Sequence, residues 1–413
     1  MSDQDRLSQD YDITIIGGGM VGISLALLLA QQQRWKIALL ESQPVQGKAP
    51  DYSPSFDARS TALSWSSSEI FKTIGVWEQI RQQACAISTI HVSDRGHMGL
   101  CRINASEVGV DALGHVVENN WLGAALMEKL AATDIHLQGS VEVKSIRARA
   151  EAMQIAIVTE GTEQTINSKL LVIADGAGSQ SAQMLGIQQH SKAYGHSAII
   201  ANLSLQQPHK AVAYERFTDQ GPMALLPLSD YENSSRSALV WTQPKALAES
   251  LMAEHDGNFL SALQERFGDR LGQFKQIGKR AIYPLALTTS EEQVRRRLVV
   301  VGNAAHSLHP VAGQGFNLSL RDIATLASCL AESVEDADIG ALDQLQRYQQ
   351  QRAADQRNTL LFTDNLSKLF GLTSPLMALG RNSGLVMMDL VPALRQKFAR
   401  FGMGIGHSEV DYG

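Results

Sequence analysis

VVVGNAAHSLHPVAGQGFNLSLRD, residues 299–322, is the stretch on which the reading of this chain turns. Leu298, Val299, Val300 and Val301 make an apolar run of strand length, of the kind a sheet buried on both faces requires, and it stops at Gly302-Asn303. Beyond a turn of small residues, Phe316, Leu320, Ile323, Leu326 and Ala327 recur at helical spacing, which predicts a helix over 316–329. The loop Gly313-Gln314-Gly315 then sits at the N-terminus of that helix. Free backbone N–H groups converge there and the helix dipole is positive, which suits a ligand that carries or develops negative charge. A plain strand-loop-helix crossover would leave the same trace, so the loop alone does not choose between them.

A second signal near the N-terminus does. The strand pattern Asp12-Ile13-Thr14-Ile15-Ile16 runs into Gly17-Gly18-Gly19-Met20-Val21-Gly22, a helix is expected from Met20 to Gln33, and a second strand, 36–40, ends at Glu41. In this context Gly17 permits the tight turn, Gly19 lets a pyrophosphate approach the backbone, and Gly22 lets the helix pack closely on the strand. Glu41, about 20 residues beyond the glycines, is where a carboxylate takes the hydroxyls of an adenosine ribose. The pattern predicts a dinucleotide-binding unit.

Composition bounds the rest. A chain of 413 residues suits two domains with a helical tail. Lys+Arg at 36 against Asp+Glu at 42 gives a net charge of −6, and the longest basic run is Arg295-Arg296-Arg297, so no nucleic-acid partner is expected. The three cysteines, Cys85, Cys101 and Cys329, show no metal spacing and fit a reducing compartment. The polar start, Met1 to Arg6, does not read as a signal peptide, so a cytoplasmic protein is expected. Residues 13–33 lack charge, but the glycines in their first half and Gln31-Gln32-Gln33 at their end leave too short an apolar core for a membrane span.

Between the two nucleotide signals the chain changes character. Residues 42–55 read as loop, Asp57 to Ser64 lead into a helix over 66–74, and Arg59 stands where a cation could reach a pyrophosphate or pair with Asp57. A helix is expected over 119–132, strands over 141–146 and 153–158, with a hairpin turn at Glu160-Gly161. Lys169 to Ser179 is another buried strand ending in the acidic turn Asp175-Gly176, at the carboxyl edge where a parallel sheet presents ligands. From Tyr194 to Pro284 the strands lengthen and alternate as in antiparallel sheets, with one helix expected over 245–267. The apolar strand Gly221 to Leu228 is expected to roof a pocket, with Leu226 and Pro227 facing a substrate. The fold class is therefore α/β: a Rossmann-like three-layer domain from residues 1–80, 115–186 and 285–335, a mainly antiparallel second domain from 81–114 and 187–284, and a C-terminal helical segment, 336–413.

Taken together, GGGMVG with Glu41, ADGAGS at 174–179 and GNAAHSLHPVAGQGFN at 302–317 resemble the flavin-dependent aromatic hydroxylases, and among them the ubiquinone-biosynthesis hydroxylases. DARSTALS at 57–64 and YERFTDQGPMALLPL at 214–228 extend the resemblance over nearly the whole chain. Two positions depart from the wider family, Asn303 where most members carry Asp and Ala182 where most carry Arg, and both resemble the branch acting on 2-polyprenyl-6-methoxyphenol. The resemblance implies FAD as cofactor, NAD(P)H as transient electron donor, and transfer of one oxygen of O2 to a polyprenyl phenol. It further implies that Gly17, Gly19, Met20, Gly22, Glu41 and Arg59 hold the ADP half and that Val143 lends a backbone contact to adenine. Asp175, Asn303 and Gly313 line the cofactor, Gly315, Phe316 and Asn317 face its pyrimidine end, and Pro310 lies near the reactive edge.

No metal is expected, since His306 and His309 lack a third ligand, and no general base can be named from the residues. A same-family hydroxylase acting at another ring position or on another phenol shares every motif, and a non-catalytic flavoprotein scaffold stays as the reading from another class. In the tail, residues 372–403, Leu385 to Leu394 with Phe398 and Phe401 offer an apolar face, and Arg381, Arg395, Lys397 and Arg400 a basic one. These short helices fit peripheral contact with the inner membrane surface, a biosynthetic complex, a homo-oligomer contact, or closure of the pocket. Truncation before Leu372 is expected to leave FAD binding intact.

Overall fold

The computed structural model describes residues 8–45, 59–97, 99–308, 313–334, 337–371 and 384–405. An eight-stranded sheet runs in the order Val294–Arg295, Leu298–Val300, Thr162–Ile173, Ser8–Ile16, Ile37–Leu40, His136–Gln138, with Met153–Thr159 and Val141–Ala148 added as antiparallel strands beside Thr162–Ile173. From Leu298–Val300 to His136–Gln138 the neighbours are parallel. Alternate residues of each apolar run serve opposite layers: Ile13, Ile15, Leu39, Val172 and Val299 pack under the helices, while Ile16, Leu40, Ile173 and Val300 join the core on the other face. Both faces are covered, which is why these strands read as continuous apolar runs. Helix Met20–Ala30 and helix Gln314–Ala331 lie together on the first face.

A nine-stranded sheet is built from His306–Ser307, Ala281–Ser290, Gln189–Leu205, Ser234–Pro244, Gly221–Tyr231, Val212–Thr218, Thr89–Asp94 and Leu100–Asn104, with Phe274–Ile277 beside Gln189–Leu205. It is antiparallel except where Val212–Thr218 meets Thr89–Asp94. Ala281–Ser290 and His306–Ser307 carry it past residue 284, so residues 285–290 lie in this sheet and not in the parallel one. Its outer face buries Leu225, Leu239 and Trp241 against two helices, Lys245–Ala253 and Asp256–Phe267. The single helix expected over 245–267 is thus broken: Glu254 and His255 are extended, with ψ 151° and 153°.

The helix Leu342–Gly371 packs on Gln314–Ala331, and between them lies a chain of buried charges. Asp322 accepts from His306 Nε2 at 2.6 Å and from Arg352 Nε at 2.6 Å, while Asp355 accepts from Arg321 Nε at 2.7 Å and from Arg352 Nη2. Burial pushes both carboxyls up, but the neighbouring guanidinium groups outweigh it: Asp322 lies below the usual range and Asp355 falls to about 2. The last helix, Pro392–Gly402, opens on a proline suited to a first turn and docks rather than standing free. Leu385, Ala399 and Met403 share a core with Cys101, Ile103, Val116 and Phe217. Among the described residues no helix is long and apolar enough to cross a membrane.

Candidate active site

At the N-terminal loop the glycines have no room for anything else. Gly17 sits at φ +114°, and a Cβ there would come within 2.4 Å of the Ala174 carbonyl oxygen. One on Gly22 would stand 1.9 Å from the Gly17 carbonyl oxygen, so only hydrogen lets helix and strand meet; Gly22 supports the loop without lining the cavity beside it. Glu41 is fixed at the strand end by N–H groups of Gly18 (2.7 Å to Oε2) and Gln43 (2.9 Å to Oε1). Gly17, Gly19, Met20, Glu41, Val143 and Asp175 all border one cavity. Asp175 Oδ2 accepts from Ser181 N–H at 3.2 Å, and its Oδ1 is buried with no partner among the described residues. Arg59 reaches the same cavity with its guanidinium over the Tyr283 ring, 4.9 Å from the centroid.

The third motif meets this cavity from the far side. The helix begins at Gln314, two residues before its first apolar position, because Gly313 caps it in the left-handed conformation, φ +60°. Asn317 is only 2% exposed and its side chain is spent on the loop. It donates to the carbonyls of Ala62 (2.9 Å) and Gly313 (2.8 Å) and accepts from Ser64 N–H (2.9 Å) and Ser67 Oγ (2.7 Å). What Gly315, Phe316 and Asn317 offer the cavity is therefore backbone, at the positive end of the helix. The Phe316 ring turns toward Phe71, 6.5 Å between centroids. Asn303 borders the cavity from the turn Gly302–Ala304, while Pro310 lies outside the described residues. Ala182 is wholly buried under the strands, where an arginine would have no place.

The cavity holds about 1660 Å³, more than the roughly 300–1000 Å³ of an ordinary single-ligand pocket, so a dinucleotide leaves space for a second molecule. That space lies under the nine-stranded sheet. Leu226 borders it, as do Ala224, Val240 and Ile200, but Pro227 does not: strand alternation turns it to the other face, where it is buried. Two contributions escaped the sequence reading. Glu215 borders the cavity among apolar residues, and burial pushes its carboxyl up to about 8. The tail closes the same end through Leu385, Met388, Phe398 and Phe401, with the Phe362 ring edge-on to Phe401 at 5.0 Å between centroids. Met403 carbonyl oxygen accepts from Ser66 N–H at 3.1 Å and Gln314 Nε2 donates to Gly402 at 3.4 Å. The tail thus braces the first turn of the helix at the cavity. His306 is spent in the charge chain, and among the described residues no group of three His, Cys, Asp or Glu side chains could hold a metal.

These features fit FAD: a glycine cradle that any Cβ would fill, a carboxylate at the strand end, an unpartnered Asp175 oxygen, and a helix N-terminus facing the same space. Comparison with known proteins agrees. The FAD binding domain family matches residues 10–362. The chain is 33% identical over 398 residues to ubiquinone hydroxylase UbiL of Rhodospirillum rubrum, covering 95% of this chain and 89% of that protein. It is 29% identical over 400 residues to 3-demethoxyubiquinol 3-hydroxylase of Escherichia coli, covering 96% and 100%. The solved structure of p-nitrophenol 4-monooxygenase PnpA from Pseudomonas putida shares the fold, with TM-score 0.77 at 15% identity over 97% of this chain and 100% of that one. A cavity made for a dinucleotide and one further molecule, in a chain matched over this length, places the protein in the FAD binding domain family, as a flavin-dependent monooxygenase.

Proposed function

We propose that the protein hydroxylates the ring of 2-polyprenyl-6-methoxyphenol in ubiquinone biosynthesis, using NAD(P)H and O2. The observation that carries this reading is the apolar compartment under Ala224, Leu226, Val240 and Ile200, continuous with the flavin cradle and closed by the tail. Asn303 and Ala182 support the choice of substrate branch. In this reading Gly17, Gly19 and Met20 meet the pyrophosphate, Glu41 takes the ribose hydroxyls, Arg59 neutralises phosphate charge, and Val143 meets adenine. Asp175 and Asn303 accept from or donate to the polyol chain. The amides from Gly313 to Asn317 stabilise the negative charge of the reduced ring. FAD, once bound and reduced, supplies the oxygen activation. The protein's own task is to hold the phenol, exclude water and manage its proton.

Feeding the flavin-loaded protein a short-chain 2-methoxyphenol with NADH or NADPH, then weighing the product, tests the reading. A gain of one oxygen on the ring supports it. No gain with this phenol but a gain with a differently substituted one favours the same-family alternative, which the name of the E. coli relative keeps in view, and cofactor oxidation without product favours a scaffold. The substrate's apolar chain would enter from a lipid surface. Val386, Met387, Leu390 and Leu394 stand exposed beside the cavity-lining Leu385 and Met388, forming a ridge that such contact would cover. Flotation with anionic vesicles, lost on replacing Met387 and Leu390 by Ser, is the expected result.

A further inference from the structure

Among the groups with no part in the cradle, Glu215 is the least explained by structure alone. It lies on Val212–Thr218, between Val92 on one side and Ala224 on the other, and Ala224 in turn pairs with Val240 and Val240 with Ile200. Ala213 and Phe217, two residues away on either side, border the same cavity. Glu215 is therefore the single charged position in a wall of apolar side chains that faces the substrate compartment, and no hydrogen bond or ion pair holds its carboxyl among the described residues. A carboxyl with no structural partner, set in an apolar wall, weakens the fold unless a ligand meets it.

We propose that Glu215 receives the hydroxyl proton of the phenol, accepting a hydrogen bond from it on binding and taking the proton as the ring reacts. This rests on the hydroxylase reading above. The phenol O–H bond breaks, its electron pair enters the ring, and the proton passes to a Glu215 oxygen. A ring carbon forms its new C–O bond with one atom of O2, and the C–H proton lost there returns to the first oxygen. The second atom of O2 leaves as water, with two electrons from the reduced nicotinamide, and the three protons that the new hydroxyl and the water take come from Glu215, the nicotinamide hydride and solvent.

An ordinary carboxylate is too weak a base for a phenol, whose own value lies near 10; one held up by burial is better matched. The cause is burial alone, with no charged neighbour contributing. The titratable groups bordering the same cavity are Tyr214 and Tyr283 and, toward the cradle, Arg59, Glu41, Glu142 and Asp175. Among the described residues, the neighbouring strands and the tail border it with apolar groups, Val92, Ala224, Leu385 and Met388, while His91 pairs with Arg270.

The test uses the flavin-loaded protein and the variant Glu215→Gln. For a short-chain 2-methoxyphenol, the wild-type Kd is expected to tighten on the order of tenfold as pH rises through about 8, because the ionised carboxyl is the better acceptor, and to stay flat in the variant. Hydroxylation should fall about 10²- to 10⁴-fold in the variant and lose its rise with pH, with flavin content unchanged. A ring-fluorinated phenol already ionised at the assay pH should lose far less. Equal losses on both phenols, or a pH step in Kd that survives in Glu215→Gln, would overturn the proposal. A wild type that shows the Kd step yet adds oxygen to no phenol would leave Glu215 as a phenol contact and remove the hydroxylase reading instead.

Discussion

Two groups of enclosed carboxyls in this protein behave in opposite ways. Asp322 and Asp355 are buried between the helices Gln314–Ala331 and Leu342–Gly371, each against two cationic or histidine donors, and both are held below the ordinary range. Glu215 is enclosed in an aliphatic wall with no such donor, and burial drives it up to about 8. The desolvation cost is common to both; what differs is whether the fold itself supplies the compensating charge. Where it does, the carboxylate is part of the architecture. Where it does not, the group is left for whatever enters the cavity.

Breaking the compensated side should have the largest effect. Arg352→Leu leaves Asp322 and Asp355 buried with half their donors, and a loss of about 3–5 kcal/mol in denaturant unfolding is expected. Glu41→Ala comes next: the charge-assisted acceptor at the cradle is worth roughly 1.5–3 kcal/mol, read as weaker FAD retention on dilution, and retention equal to wild type would remove Glu41 from that role. On the uncompensated side the sign reverses. Glu215→Leu should raise stability, by less than either loss above because the carboxyl is only part-buried at the cavity wall, and a destabilised variant would show that the wall does supply a partner. The smallest effect lies in acid. Because the Asp355 carboxyl is depressed to about 2, its contribution is fully present above the unfolded value near 4 and is lost as pH falls through 2. Arg352→Leu should flatten that acid limb of the unfolding curve.

The same contrast explains what could be read before any coordinates. Val172 and Val299 belong to runs apolar at every position, and Ile13 to one broken only by the buried Thr14, which a sheet covered on both faces accounts for, and the spacing of Gly17 and Gly22 answers to the close approach of Gly22 to the Gly17 carbonyl. Such local requirements leave a local trace. Glu215 sits in Ala213-Tyr214-Glu215-Arg216-Phe217, where alternation shows that Glu shares a face with Ala and Phe but not which face looks into a cavity. Pro227 was misplaced for that reason, one position out of phase with Leu226. The break at Glu254-His255 is marked only by Gly257 just beyond it, inside the first turn of the second helix, and the docking of Met403 on Ser66 joins residues too distant in sequence for any pattern to link.

The order of the strands also sets a clock. Ser8–Ile16 meets Ile37–Leu40 early, but its second parallel neighbour exists only when Thr162–Ile173 has been made, and that strand gains its other parallel neighbour only with Leu298–Val300. Helix Gln314–Ala331, whose first turn faces the flavin cradle, follows later still. During synthesis the glycine loop therefore exists long before the surfaces that complete it, since the strand Leu298–Val300 and the helix Gln314–Ala331 are made last. A ligand that needs both ends of the cavity can be held only once residues 313–317 have been made.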